Sequence, residues 1–264
     1  MTDEERLDWE RVDNLARSVL QQEAVLELSD ETRAILAQGA RLMAISPTET
    51  EEALRGLETA TSLLREIKRR TRDGSRSLTR ADSNSERLRE RGNFAGARKV
   101  LTDALASEVV PFYREQFEIR LEYLATFEKV FLTGHVEPDF HPWGQIRALS
   151  LRVQRGNRLE LRDELRDFLR ETAPSVAISE DEAAASLKTV EEAETLLAKM
   201  LERIEAGKRR ILQALHQMFL CEEAGDIEGA RQQLRDVLAV EVVPQYRHMA
   251  EENLAGLDKL YQAP

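Results

Sequence analysis

The chain repeats itself at a fixed offset, and that repetition limits its fold more than any other feature. The stretch ASEVVPFYR at 106–114 returns as AVEVVPQYR at 239–247, so Pro111 and Pro244 lie 133 residues apart. The same offset joins AIS at 44–46 to AIS at 177–179, Gly74 to Gly207, Gly92 to Gly225, and GAR at 96–98 to GAR at 229–231. Trp9 and Trp143 differ by 134, so one residue has been gained or lost after the Trp. A period this long marks a duplicated domain; solenoid repeats are much shorter. TGHVEPDFHPWG at 133–144 gathers Gly, Pro and acidic residues as a linker does. The expected division is a first domain at 1–132, a linker at 133–143 and a second domain at 144–264.

The periodicity is helical throughout. Trp9, Val12, Leu15 and Val19 share one helical face, and so do Trp143, Ile146, Leu149 and Val153. Ser46-Pro47-Thr48-Glu49 reads as a capping box with proline at the first helical position, and Ser179-Glu180-Asp181-Glu182 repeats it without the proline. Gly74 and Gly207 stand where a helix could stop, and Asn93 and Asp226 where one could start. Ala81–Glu86 has no large apolar residue, so 75–91 is expected to be short, frayed or exposed, unlike its apolar counterpart 208–224. The apolar phase continues through both prolines (Leu101, Leu105, Val109, Phe112; Leu234, Leu238, Val242, Met249), which predicts one long kinked helix. Arg114 and Arg247 follow those prolines by three and are expected to steady the kink by binding the freed carbonyls of Ser107 and Val240. The expected fold is all-α: two tandem homologous helical domains of about five helices each, with a long proline-kinked last helix.

GDIEGARQQLRDVLAVEVVPQYR, with ISEDEA and LLAKMLERIEAGKRR upstream, resembles the DUSAM family, a myxobacterial paralogous group of unknown function. The resemblance covers about 145–258. The first copy matches through LELSDETRAILA, AISPTETEEAL, LLREIKRR, GARKVL and EVVPFYRE, and departs at Ser75–Glu90. The family implies no catalytic, cofactor-binding or metal-binding residues. G-D-x-x-x-A opening a helix also looks like one tetratricopeptide hairpin, but that repeat does not recur within a copy, so an isolated helical hairpin is the better reading.

Charge and motifs narrow the function classes. A net charge of −11 opposes nucleic acid and anionic membrane. The charged start MTDEERLDWE, the single Cys221 and the lack of a long apolar run lead us to expect a cytoplasmic protein with no membrane contact. No phosphate loop, nucleophile elbow or zinc pattern occurs. His135, Glu137, Asp139 and His141 alternate like metal ligands, but a proline-bearing linker supplies poor second-shell support. No enzyme, cofactor or metal is therefore expected.

Two differences between the copies stand out. Residues 65–99 hold twelve Lys or Arg against five Asp or Glu, whereas 198–232 hold six of each. Arg65, Lys68, Arg69, Arg70, Arg72, Arg76 and Arg80 form a candidate partner-binding basic patch. Phe117, Tyr123, Phe127 and Phe131 form a candidate aromatic interface, since the second copy mostly lacks aromatics there and places Ala250, Gly256 and Leu260 against the first three. The expected function is a protein–protein interaction or scaffold module. Its partner would be an acidic protein or a second copy of the chain. Nucleic acid is the weaker choice, because no aromatic stacking residue lies in 65–93.

Overall fold

The computed structural model describes residues 3–22 and 24–261, and among them every regular element is helical. The chain divides into two compact units, one ending at Ala125 and the other beginning at Thr126. The first contains α1 (Asp3–Gln21), α2 (Asp30–Leu42), α3 (Pro47–Ala53), α4 (Leu57–Glu90) and α5 (Phe94–Ser107). Helix α6 (Pro111–Thr133) carries the chain past the division. The second contains α7 (Pro142–Gln154), α8 (Asp163–Thr172), a 3-10 turn at Ala173–Val176, α9 (Glu180–Ala185), α10 (Val190–Glu223), α11 (Ile227–Val240) and α12 (Pro244–Tyr261). The segment 134–141, inside the expected linker, is not helical and lies in the second unit.

Each copy thus has six helices where about five were expected, because three boundaries fall differently. Leu54–Gly56 interrupts what read as one helix from 46 onward. Gly74 and Gly207 do not end helices. They lie inside α4 and α10, each 34 residues long, and the left-handed stops are Gly92 (φ 72°) and Gly225 (φ 75°). What Gly74 and Gly207 provide is room. A Cβ on Gly74 would stand 2.2 Å from Cδ2 of Tyr113, and one on Gly207 would stand 2.2 Å from Cδ2 of Tyr246. Each phenol hydroxyl then donates to a carbonyl of the long helix, Tyr113 to Thr71 at 2.8 Å and Tyr246 to Ile204 at 3.0 Å.

The segment 75–91 is neither short nor frayed, being the second half of α4, although apart from Ala81 and Ser85 its residues are exposed or half-buried. Packing overrides weak propensity here. Ala81 and Ser85 are buried, and their small side chains let α5 approach with Phe94 and Ala97. Asp82 pairs with Arg120 of α6 at 3.2 Å. The α10–α11 hairpin is the same arrangement in the second unit, with Asp226 capping α11 through Gly229 N–H at 2.8 Å.

The prolines start helices and do not kink them. Residues 108–110 and 241–243 are non-helical, and Pro111 and Pro244 are first residues of α6 and α12. At that position the missing N–H costs nothing, because helix-start donors have no intrahelical partner. The apolar phase slips by one at the break, so Val110 and Val243 are buried while Val109 and Val242 are exposed. The glutamates of the motif acquire a purpose. Glu108 Oε1 accepts from the N–H groups of Val109 and Val110 at 2.9 and 2.8 Å, and Glu241 Oε1 does the same for Val242 and Val243. Arg114 and Arg247 do bind carbonyls at the end of the preceding helix, but not those of Ser107 and Val240. Arg114 donates to Leu105 and Glu108 at 3.1 and 2.9 Å, and Arg247 to Leu238 and Glu241 at 2.7 and 2.9 Å.

Other long-range ties repeat at the same offset. Arg33 donates to the Leu54 carbonyl and Arg166 to that of Leu187. Arg70 donates to the carbonyls of Met43 and Ala44, and Arg203 to those of Val176 and Ala177. Ala44 and Ala177 are left-handed (φ 55° and 61°), a conformation disfavoured for L-residues that these arginines hold in place. The cores follow: Val12, Leu36, Leu64 and Ile67 in the first unit, and Ile146, Leu169, Leu197 and Met200 in the second.

Candidate functional site

The basic residues of α4 separate into two sets. Lys68 and Arg70 are half-buried and serve the first unit itself. Lys68 pairs with Asp13 of α1, and Arg70 pairs with Glu66 while capping the end of α2. Arg65, Arg69, Arg72, Arg76 and Arg80 are exposed. Their spacing of four, three, four and four keeps them on one helical face. At 1.5 Å per residue they span about 22 Å. Arg69 binds Glu66 at 2.7 Å and Asp73 at 3.1 Å, and Arg72 approaches Asp73 at 3.5 Å. Hydrogen bonding from Arg69, then from Arg70, holds the Glu66 carboxyl down at about 2. Arg65, Arg76 and Arg80 have no ionic partner among the described residues.

The second unit lacks this stripe. At the 133 offset its residues are Ala198, Glu202, Glu205, Arg209 and Gln213. Glu205 pairs with Arg147 of α7 at 2.7 Å. The shared scaffold does not require the stripe, since the same helix forms with only Arg209 of the five retained. Of the other basic residues in 65–99, Arg89 stacks over the ring of Tyr123 at 5.4 Å and Lys99 pairs with Asp103 at 2.8 Å, while Arg91 is exposed beyond the end of the stripe.

A cleft of about 680 Å³ opens in the first unit between α1, α2, α4 and α6. Trp9, Leu42, Met43, Phe112 and Tyr113 give it an apolar wall, and Arg41, Thr71, Ser75 and Glu115 give it polar points. Burial pushes the Tyr113 phenol up, followed by the charge of Glu108, so it remains a neutral donor to Thr71. In the second unit, Trp143 is buried and packs on Tyr246 with ring centres 5.4 Å apart, while its Nε1 donates to Ser175 at 3.0 Å. Leu42 stands at the Ser175 position in the first copy and offers no acceptor from its side chain. The cleft was not legible in the sequence, because Trp9 and Phe112 read as parts of continuous apolar helix faces.

The aromatic candidates do not form one exposed face. Phe117 and Phe127 are 0% and 2% exposed, which leaves no surface on them for a second chain. Tyr123 and Phe131 are half-buried, and Tyr123 lies beneath Arg89. The linker residues go to separate tasks. His135 bonds Arg162 at 2.7 Å, Glu137 pairs with Lys129 at 2.7 Å, and His141 Nδ1 accepts from Trp143 N–H at 3.2 Å as the cap of α7. Among the described residues no cluster of three or more His, Cys, Asp or Glu has metal-binding geometry. Cys221 is free and half-buried.

No helix among the described residues is long and apolar enough to cross a membrane. No curated protein and no solved structure matches the chain. One family model does, described as a protein of unknown function (DUF2379), and it matches twice, over residues 7–124 and 141–257. These two matches account for the 133-residue offset and for the paired caps, arginines and tyrosines of the two copies, in keeping with the DUSAM resemblance. The chain belongs to the DUF2379 family, whose function is unknown, and carries two tandem copies of its domain.

Proposed function

We propose that the protein is a non-enzymatic, cytoplasmic interaction module that binds an acidic protein through the arginine stripe of α4. One observation carries this reading: five exposed guanidiniums line one face of a helix whose twin keeps an arginine at only one of the five positions. Three of them have no ionic partner among the described residues, in a chain whose net charge is −11. Arginine suits such a role because its planar fork can bind a carboxylate through two parallel hydrogen bonds. The non-enzymatic reading is supported by how the chain uses its buried acid, since Glu241 binds backbone and Arg210. The cytoplasmic setting is supported by the single free Cys221.

The test uses the full chain, a labelled poly-glutamate peptide and a labelled single-stranded oligonucleotide of similar charge. The peptide is expected to bind, more weakly as salt rises, and Arg65→Glu/Arg76→Glu/Arg80→Glu is expected to weaken it by about tenfold or more. A peptide that binds the triple variant equally well refutes the stripe as its site. Tighter binding of the oligonucleotide through the same three residues replaces the reading with nucleic-acid recognition.

A further inference from the structure

The second half of α10 carries the opposite peculiarity. Leu212 and Phe219 are 53% and 60% exposed and stand two turns apart on one helical face, so they form an apolar patch along the helix and not a scattered single residue. Leu215 lies half-buried between them, with His216 exposed beside it. The first copy places Thr79, Asp82, Ser83 and Glu86 at these four positions, so its equivalent face is polar. The apolar face is therefore a property of the second unit and not of the shared fold.

The ends of this face carry opposite charge. Lys208 and Arg209 precede the apolar residues, and Glu222 and Glu223 follow them. Arg209, Glu222 and Glu223 have no ionic partner among the described residues. The pattern is symmetric about a point between Leu215 and His216. If the face is laid antiparallel on an identical one about that point, Leu212 of one copy meets Phe219 of the other. Lys208 and Arg209 then meet Glu223 and Glu222, at both ends at once. A parallel arrangement sets like charges against each other and forfeits this pairing. A two-fold contact needs a surface complementary to itself, and this face meets that requirement in shape class and in charge.

We infer that the chain self-associates through the α10 face spanning Lys208 to Glu223, with a second copy of itself as the antiparallel partner. This surface is distinct from the arginine stripe, so it stands or falls independently of the proposed acidic partner. A single helix seam is smaller than a standard interface, and a dissociation constant of about 10–100 μM is expected.

Sedimentation equilibrium of the full chain at fixed ionic strength tests the inference. Dimer is expected as concentration rises through that range. Leu212→Glu/Phe219→Glu is expected to leave only monomer. Lys208→Glu/Arg209→Glu alone is expected to weaken the dimer by about tenfold or more, and so is Glu222→Lys/Glu223→Lys alone. Combining all four charge changes in one chain restores opposite charge at both ends and is expected to recover the wild-type constant. All six positions are solvent-facing or half-buried, and circular dichroism checks that each variant is folded. A wild-type chain that stays monomeric throughout overturns the inference. So does a dimer that survives Leu212→Glu/Phe219→Glu, or a fourfold variant no tighter than the twofold ones.

Discussion

Replacing Gly207 with alanine separates two opposed expectations. Judged by propensity, alanine inside a 34-residue helix should stabilise it by about 1 kcal/mol over glycine. Judged by packing it should not. The added Cβ would stand 2.2 Å from Cδ2 and 2.5 Å from Cε2 of Tyr246, and 3.2 Å from Oε2 of Glu241. Ordinary carbon–carbon contact needs about 3.5–4 Å, so the ring must retreat by more than an ångström. Tyr246 has little freedom to do so, being 6% exposed, packed against Trp143 and hydrogen-bonded to Ile204. Overpacking costs about 1–3 kcal/mol and the lost hydrogen bond about 1 kcal/mol. After the propensity gain, Gly207→Ala is expected to destabilise the second unit by about 2 kcal/mol. Urea unfolding reads this as a midpoint roughly 1 M lower. Gly256→Ala is the control: nothing lies within 4 Å of its Cβ position in α12, so it should stabilise by up to about 1 kcal/mol. In a Tyr246→Ala background, Gly207→Ala should itself become stabilising, because the obstruction is gone. A Gly207→Ala protein as stable as wild type would refute the reasoning, as would a deficit that persists without Tyr246.

The other predictions concern caps and charge. Glu241 is buried, receives two backbone N–H groups and pairs with Arg210, so Glu241→Ala is expected to cost about 3 kcal/mol by leaving those groups unmatched. Glu108→Ala is expected to cost about 1 kcal/mol, because Glu108 is half-exposed and Ser77 stands where the second copy has Arg210. Equal losses in chemical denaturation of the two variants would contradict this ordering. His141 gives a pH dependence. Partial desolvation of a ring that is still exposed, then the charge of Arg147, holds its imidazole below 6.5, and its neutral Nδ1 caps α7. The unfolded chain therefore takes up the proton first. The capping contribution is complete above 6.5 and is lost as pH falls through that value toward the lower folded one. His141→Asn keeps an acceptor at the cap without a titrating group, so its thermal stability should fall less between pH 7.5 and pH 5; parallel profiles would exclude His141 as the source.

The duplication, the all-helical character, the caps at Ser46, Asn93 and Asp226, and the basic excess at 65–99 were all legible in the sequence, since each depends on residues close in the chain. What was misread depended on residues far apart. Gly74 and Gly207 looked like helix stops because the rings of Tyr113 and Tyr246, thirty-nine positions later, are invisible to local reasoning. The polar run at 81–86 looked unstable because propensity does not register α5 packing on Ala81 and Ser85. The apolar phase looked continuous through Pro111 and Pro244 because a one-residue slip at adjacent valines leaves the pattern almost unchanged.

The candidate surfaces divide in the same way. Sequence alone located the arginines of α4, but only tertiary contacts showed that Lys68 and Arg70 serve the fold while Arg65, Arg76 and Arg80 face solvent. Sequence alone counted the aromatics of α6, and burial removed Phe117 and Phe127 from any surface. Composition and periodicity set which helices form and that they form twice. Packing decided which side chains those helices leave exposed, because a helix fixes the direction of a side chain and only its neighbours determine whether water reaches it.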